Sequence, residues 1–328
     1  MRKVEEKQLK ILVMGGTEFV GRAVAQYMIS KNHEVSIFTR GIREPGYTGI
    51  HTHYKGDRRN PADVEHFVKD ESFDYILDIS SYVLPDVKNL LNKVSTKKLK
   101  KYIFLSTGSV YEPSNEHMNE EQSRGFNENW GQYGLDKLEI ENYLFSLHKN
   151  EGLPVSIVRP AYIYGKGNNL YREIYLFEKL EKALTIPIPD GSNRVQFIYI
   201  EDLVKFIESI MFEDKATGQA YNITHPEAVT WEKLIYTAAK AMNTDTVKIK
   251  KIKSTDIKPR EYFPFRDCTY LLDTDKAGKH GLTMPSTDLE GGLRLAYKWY
   301  KDTNPAVKDN KMDKIEMVLE GLTHGGII

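Results

Sequence analysis

The stretch Lys10 to Gly21, KILVMGGTEFVG, constrains the fold more than any other part of this chain. Ile11-Leu12-Val13-Met14 is a short apolar run, as a strand buried on both faces requires. It breaks into Gly15-Gly16-Thr17-Glu18 and resumes with Phe19-Val20-Gly21 at helical spacing. Glycines let the backbone turn sharply and approach a bulky anion with no Cβ in the way. The helix behind the turn presents unpaired N–H groups and the positive end of its dipole, a cradle for a pyrophosphate. Strand, tight turn and helix start are therefore expected here, with a dinucleotide as ligand. The spacing departs from G-x-x-G-x-x-G in carrying Glu18 at its middle position, and many glycine turns only turn a corner, so context decides.

A chain of 328 residues can bury one large or two modest cores. Lys+Arg and Asp+Glu are equal at 46 each, so no net basic charge recruits nucleic acid or an anionic membrane. A small-molecule partner is expected. No apolar run approaches the ~18–20 residues of a membrane span, and the charged opening MRKVEEKQLK is unlike a signal peptide. The lone Cys268 excludes an intrachain disulfide and a Cys-rich zinc cage, which fits a reducing cytoplasm. Only His51 and His53 form a near histidine pair, on an expected strand surface, so no metal site is expected.

The first half alternates strand and helix. Arg22 to Lys31 reads as a helix, and Glu34 to Phe38 as a strand ending in Thr39-Arg40-Gly41 with Arg43 beyond. In a dinucleotide fold that end faces the adenosine ribose, where an acid binds a 2′-hydroxyl and an arginine accommodates a 2′-phosphate. With Arg40 and no carboxylate there, NADP is favoured over NAD. His51 to Lys55 suggests a third strand, ending in Gly56-Asp57-Arg58, where Asp57 either meets an adenine amine or caps a turn. Pro61 starts the next helix. Phe73 to Ile79 is a fourth strand followed by Ser80-Ser81-Tyr82, and Pro85 to Val94 an amphipathic helix. This rhythm means an α/β fold with a doubly wound parallel (Rossmann) sheet. The run Lys97-Lys98-Leu99-Lys100-Lys101 reads as a solvated helix end.

The fifth strand, Tyr102 to Leu105, ends in Ser106-Thr107-Gly108-Ser109-Val110-Tyr111. Open parallel sheets bind ligands beyond the carboxyl ends of their strands, so these hydroxyls would emerge at the cofactor crevice. Further on, Tyr133 and Lys137 stand four apart and share a helix face. A phenol of pKa ~10 is a poor base at neutral pH, but an adjacent ammonium favours its ionised form. The lysine can also hold a cofactor ribose, while a Ser or Thr hydroxyl steadies the oxygen that changes protonation. Tyr-x-x-x-Lys occurs six times here, beginning also at Tyr27, Tyr162, Tyr175, Tyr236 and Tyr297. Only the Tyr133 pair follows a strand ending in clustered hydroxyls.

With these residues in view, the chain resembles an extended short-chain dehydrogenase/reductase, the superfamily of nucleotide-sugar epimerases, dehydratases and reductases, over nearly its whole length. GGTEFVG, LSTGSVY and YGLDK stand at the glycine turn, the catalytic Ser/Thr and the Tyr/Lys pair of such proteins. Val158 to Gly165, Phe197 to Leu203, Ala220 to Ile223 and Asp275-Lys276-Ala277 are similar to later family segments. The resemblance implies Thr107 as hydroxyl partner, Tyr133 as general acid or base and Lys137 as its activator. Cofactor contacts are expected from Gly15, Gly16, Thr17, Glu18, Phe19, Val20 and Gly21 at the pyrophosphate, and from Thr39, Arg40, Asp57 and Arg58 around the adenosine. Toward the nicotinamide they are expected from Ile79, Ser80, Ser81, Ser106, Tyr133, Lys137, Pro160 and Ile163. Substrate contacts are expected from Tyr82, Ser109, Tyr162, Gln196 and Arg266.

Gly108 and Ser109 stand where the sugar 4,6-dehydratases carry an acidic pair, so dehydration is not expected. Tyr162 replaces an Asn of many epimerases and Val195 an Arg; Arg194 or Arg266 could supply that charge. The charged residue in GGTEFVG, Asp78 and FPFRD are most similar to the atypical branch that includes the chloroplast stem-loop RNA-binding proteins. That likeness makes a binding scaffold, RNA its partner, the rival to an enzyme. Residues 1–165, completed by 195–223, are expected to form the dinucleotide-binding domain. Residues 166–194 and 224–328, rich in Pro and Gly, are expected to form a smaller α+β substrate lobe, with helices from Glu290 to Tyr300 and Lys311 to Leu322. By family likeness a homodimer is expected, packing the helix after strand four and the Tyr133 helix across a two-fold. The sum of these readings is a cytoplasmic NAD(P)-dependent epimerase or reductase acting on a hydroxyl-bearing or keto sugar tied to a nucleotide diphosphate.

Overall fold

The computed structural model describes residues 8–68, 71–253, 256–323 and 326–327. Its first strand, β1 (Lys10–Met14), is buried from Ile11 onward and runs through the glycine turn into α1 (Phe19–Ser30). There follow β2 (Glu34–Thr39), β3 (Thr52–Lys55), α2 (Pro61–Val68), β4 (Tyr75–Asp78), α3 (Leu84–Leu91), β5 (Lys101–Leu105), α4 (Gln132–Glu151) and β6 (Val155–Pro160). After β7 (Tyr162–Tyr164), α5 (Glu173–Glu181), β8 (Ile186–Pro189), β9 (Val195–Tyr199) and α6 (Ile200–Phe212), the strand β10 (Gln219–Ile223) returns to the main sheet. That sheet has the order β10-β6-β5-β4-β1-β2-β3, every neighbour parallel. Continuous apolar runs such as Tyr102-Ile103-Phe104-Leu105 suit strands covered on both faces. One face is covered by α1 and α6, through Val24, Met28, Leu203 and Phe206; the other by α2, α3 and α4, through Val64, Val87, Leu90, Ile140 and Leu144. The chain leaves β1 toward β2 and β3, then crosses back to β4, so the strand order reverses between β1 and β4. A crevice opens beyond the carboxyl ends of strands at such a reversal.

The smaller lobe adds β11 (Ala228–Val229), α7 (Trp231–Ala241), β12 (Ile249–Ile252), α8 (Asp275–Lys279), α9 (Leu289–Thr303) and α10 (Ile315–Glu320). Here β9 lies between β7 and β11 in a separate three-stranded sheet, and β8 pairs with β12. Of the stretch 195–223, therefore, only β10 completes the main sheet. The last helix is shorter than its sequence pattern predicts. Asp309 accepts the Lys311 N–H on its side chain and the Met312 N–H on its carbonyl, which makes a turn of the first residues.

In the lysine run Lys97, Lys98 and Lys100 are exposed, as expected, and Lys101 is the correction. Helix α3 ends before it, and Lys101 is a buried β5 residue whose Nζ donates to the carbonyls of Ile210 (2.8 Å) and Glu213 (2.7 Å) at the end of α6. Its ammonium thus meets carbonyls left unpaired by a helix terminus, not solvent.

Candidate active site

At the cofactor end the glycines do what their sequence implied. Gly15 and Gly16 adopt φ of +103° and +120°, and a Cβ on Gly21 would lie 2.7 Å from the Gly16 backbone nitrogen. Helix α1 can press against its own turn only because residue 21 has no side chain. Among the described residues no backbone carbonyl takes up the N–H of Gly16, Thr17 or Glu18, which leaves donors at the positive end of α1. This cradle fits a pyrophosphate. Tyr47 closes it from behind, its hydroxyl donating to the Gly16 carbonyl at 2.8 Å. The Glu18 carboxylate is paired with Arg43 at the cleft rim, so its charge is answered where a phosphate would otherwise be repelled.

Around the expected adenosine position, Thr39 bonds His53 (2.7 Å) and accepts the Gly41 N–H (3.1 Å). Arg40 is exposed and makes no ion pair among the described residues. Asp57 faces the cleft while one of its oxygens accepts the Arg59 N–H at 2.9 Å, so it caps a turn. Arg58 is engaged below the cleft floor. Its guanidinium grips both oxygens of the buried Asp78 (2.9 and 2.8 Å) and reaches Ser80 Oγ (3.2 Å). Burial pushes the Asp78 carboxyl up, but Arg58, with help from Ser81 and Tyr102, outweighs it and holds the group below its ordinary range.

In the centre, Thr107 Oγ donates to Ser109 Oγ (2.9 Å) and accepts the Ser109 N–H (3.1 Å), which fixes the turn after β5. Tyr133, 38% exposed, looks into the cleft from the first turn of α4. Gly134 brings it there: a Cβ at that position would sit 2.4 Å from the Ser109 carbonyl oxygen. Burial and the neighbouring Tyr82 push the Tyr133 phenol up to about 12, against the opposing pull of a Thr107 hydrogen bond, Arg172 and Arg266. Lys137 donates to the carbonyls of Ser81 (2.7 Å) and Leu105 (2.9 Å), with its ammonium over the Phe104 and Tyr82 rings. Burial lowers it to about 8. The lysine thus anchors the floor between β4 and β5, while Thr107 and the two arginines are the groups that favour an ionised phenol.

A cleft of about 800 Å³ joins these parts, and its lining holds every expected cofactor residue except Ser81. Ser81 turns inward, its hydroxyl 2.6 Å from Asp78, and offers only its carbonyl, to Lys137. Tyr82, Ser109, Tyr162 and Arg266 of the expected substrate set also line it. Gln196 does not. Its amide is used within the lobe, donating to the Pro226 carbonyl and accepting the Leu272 N–H at 2.7 Å. Sequence reasoning missed Trp130, Arg172 and Tyr270, along with Asp86, which accepts the Tyr82 N–H at 2.8 Å and so sets the approach to α3. A Cβ on Gly108 would come 2.6 Å from the Tyr270 hydroxyl and 2.9 Å from Leu272, which accounts for glycine in that position. Among the described residues no His, Cys, Asp and Glu cluster suits a metal, and no helix is long and apolar enough to cross a membrane.

Comparison with known proteins places this geometry. Residues 11–224 match the model of the NAD dependent epimerase/dehydratase family. The chain is 30% identical over 307 residues to the chloroplast stem-loop binding protein of 41 kDa b from Arabidopsis thaliana, covering 88% of this chain and 78% of that one. It is 23% identical to a putative UDP-glucose 4-epimerase of Methanocaldococcus jannaschii, over 90% of this chain and 99% of that one. The fold is that of the UDP-glucose 4-epimerase of Thermotoga maritima, solved with UDP-glucose, at a TM-score of 0.76 and 20% identity, over 90% of this chain and 99% of that one. The chain belongs to the NAD dependent epimerase/dehydratase family.

Proposed function

We propose that the protein is an NAD(P)-dependent oxidoreductase or epimerase that exchanges hydride at a hydroxyl-bearing or keto carbon of a sugar, with Tyr133 as general acid/base. The observation that carries this reading is that the glycine cradle, Thr107, Tyr133 and Lys137 open onto one cleft. A bound nicotinamide supplies the hydride donor or acceptor. Tyr133 exchanges a proton with the substrate oxygen, Thr107 hydrogen-bonds the same oxygen, and Lys137 holds the floor beneath the cofactor ribose. With its pKa pushed up to about 12, the phenol keeps its proton at neutral pH, the form that can donate to a carbonyl oxygen. Elimination of water has no support, since Gly108 is packed under Tyr270 and Ser109 is tied to Thr107. The family names of the relatives make a nucleotide-linked sugar the first substrate to try. Arg40, exposed just beyond β2 and without an ion pair among the described residues, favours NADP. The half-buried Leu91, Tyr143 and Phe145 on and near α3 and α4 suit the expected homodimer.

Tyr133→Phe should lower turnover by about 10²–10⁴-fold while leaving NADPH binding intact; a variant with normal turnover would remove the assignment. Fluorescence titration with NADPH and NADH tests the cofactor, and tighter NADH binding would overturn the Arg40 reading. A second reading, an RNA-binding scaffold, draws on the 30% identity to the stem-loop binding protein. Filter binding of a structured RNA over a salt series separates the two, because phosphate contacts weaken steeply as salt rises.

A further inference from the structure

The floor of the cleft holds a donor that is covered. An ammonium carries three N–H groups, and Lys137 gives two of them to the carbonyls of Ser81 and Leu105. Among the described residues the third has no acceptor. The sides left to it are aromatic, with the Phe104 ring centred 4.7 Å from Nζ and the Tyr82 ring 5.3 Å from it. Lys137 is left 3% exposed. A ribose hydroxyl could take the third donor only with one of these rings moved aside.

The two rings are held very differently. Phe104 is a fully buried β5 residue within the sheet and has nowhere to go. Tyr82 is 55% exposed, and among the described residues its hydroxyl makes no hydrogen bond and its ring meets no other ring. Its backbone, in contrast, is fixed: the N–H groups of Tyr82 (2.8 Å) and Val83 (3.2 Å) both reach Oδ2 of the buried Asp86, and Ser81 is tied to Asp78. A half-exposed ring on a rigid backbone, drawn to one cation, is a pivot. Its place lies on the path of a dinucleotide. A Cβ on Gly15 would lie 3.4 Å from the Ser80 Cβ, so the segment that carries Tyr82 starts against the phosphate cradle. The Tyr82 phenol is pushed up by burial and by the Glu18 carboxylate at that cradle, and it adds in turn to the upward push on Tyr133. The ring therefore stands between the cradle and the Tyr133–Lys137 pair.

We propose that Tyr82 is a gate on Lys137: its ring covers the ammonium in the free protein and must rotate outward before the ribose beside a nicotinamide can reach that lysine. This rests on the hydride-transfer reading, and it gives Tyr82 the part of a guard where a substrate contact was expected. The gate acts on one half of the cofactor site only. A ligand confined to the adenosine side, with its phosphates in the glycine cradle, stays clear of Lys137. A whole dinucleotide binds only the molecules whose ring is turned away, so its affinity is lowered by that fraction. The attraction of ring and ammonium, at about 0.5–2 kcal/mol, puts the factor at roughly three- to thirtyfold.

The test reads the cover first without cofactor and then with it. The unaltered chain, Tyr82→Ala and Tyr82→Phe are treated with acetic anhydride at about pH 8, near the lowered pKa of Lys137, with thermal melts to verify folding. Peptide mass spectrometry follows acetylation of Lys137 against the exposed Lys97. Lys137 should label about three- to thirtyfold faster in Tyr82→Ala than in the unaltered chain, and at the unaltered rate in Tyr82→Phe, which keeps the ring. Equal rates in the unaltered chain and Tyr82→Ala would overturn the proposal. In the unaltered chain Lys137 should label more slowly than Lys97, although its lower pKa leaves more of it as free amine; faster labelling there would overturn the proposal without any variant. Calorimetry then compares NADPH with 2′,5′-ADP, the adenosine half alone. Tyr82→Ala should bind NADPH about three- to thirtyfold more tightly than the unaltered chain does, and 2′,5′-ADP equally. Unchanged or weaker NADPH binding would make the ring part of the cofactor's bed and overturn the proposal, as would an equal gain for 2′,5′-ADP, which would put the ring over the cradle. If neither NADPH nor NADH binds any of the three proteins, the oxidoreductase reading falls, and the labelling contrast alone decides whether Tyr82 covers Lys137.

Discussion

The two ends of the cleft are made of different material. The cofactor end is shaped by backbone: glycines at positive φ, a helix pressed on its own turn, and donors left at a helix start. The opposite end is shaped by side chains from separate parts of the chain, Trp130 before α4, Tyr162 on β7, Arg172 at α5, and Arg266 and Tyr270 in the lobe. Backbone cradles tolerate no added atom, whereas a wall of rings tolerates exchange and can be retuned for another substrate. The difference sets where each end should fail.

Asp78 lies under the middle and serves both ends, since it holds Arg58 beneath the adenosine side and Ser81 beneath Lys137. Asp78→Asn leaves Arg58 buried without its counter-charge and should cost about 3–5 kcal/mol in urea unfolding. A loss below about 1 kcal/mol would separate the two ends and show that they share no support. Lys137 gives the next effect. With the buried ammonium lowered to about 8, the unfolded chain holds a proton that the folded chain has released between roughly pH 8 and 10.4. Stability therefore rises with pH across that window, and the native chain should gain up to about 3 kcal/mol there relative to Lys137→Met. Parallel stability curves for the two proteins would contradict the burial of a charge at this point.

Gly21→Ala sharpens the contrast directly. Its Cβ would meet the Gly16 nitrogen at 2.7 Å, so the turn must open, with a cost of about 1–3 kcal/mol that should appear as weaker NADPH binding. Trp130→Leu is the converse, removing the ring under Arg266 and beside Tyr270. It should lower stability in urea unfolding by about 1–3 kcal/mol through lost packing and leave NADPH affinity alone. If Trp130→Leu weakens NADPH binding as Gly21→Ala does, the cleft is one unit and the division fails.

The same division explains what could be read from the chain alone. The glycine turn, the strand-end hydroxyls and the Tyr133–Lys137 pair are local patterns, and local patterns carry their geometry with them. Gly108 and Gly134 were visible as glycines, but the atoms that require them, the Tyr270 hydroxyl and the Ser109 carbonyl, come from tertiary packing. Arg172 sits in a stretch of ordinary charged composition, and only its place on Tyr162 distinguishes it from a surface cation. Gln196 is expected at the substrate by family likeness alone, yet its amide closes the seam between β9 and the Leu272 segment. Lys101 looked like part of a solvated run because sequence cannot show that a helix ends against it.

The rest of Tyr270 on Gly108 has a consequence for biosynthesis. A ribosome delivers the amino end first, and amino-terminal units generally fold first during synthesis. The glycine turn, Thr107, Tyr133 and Lys137 are all available once α4 has emerged, but the layer over Gly108 waits for residue 270, and the main sheet itself waits for β10. A nascent chain would thus assemble the residues proposed to move a proton while still lacking the wall that faces them. Selectivity is therefore the last property this cleft acquires, because the wall over Gly108 closes only as the last third of the protein docks.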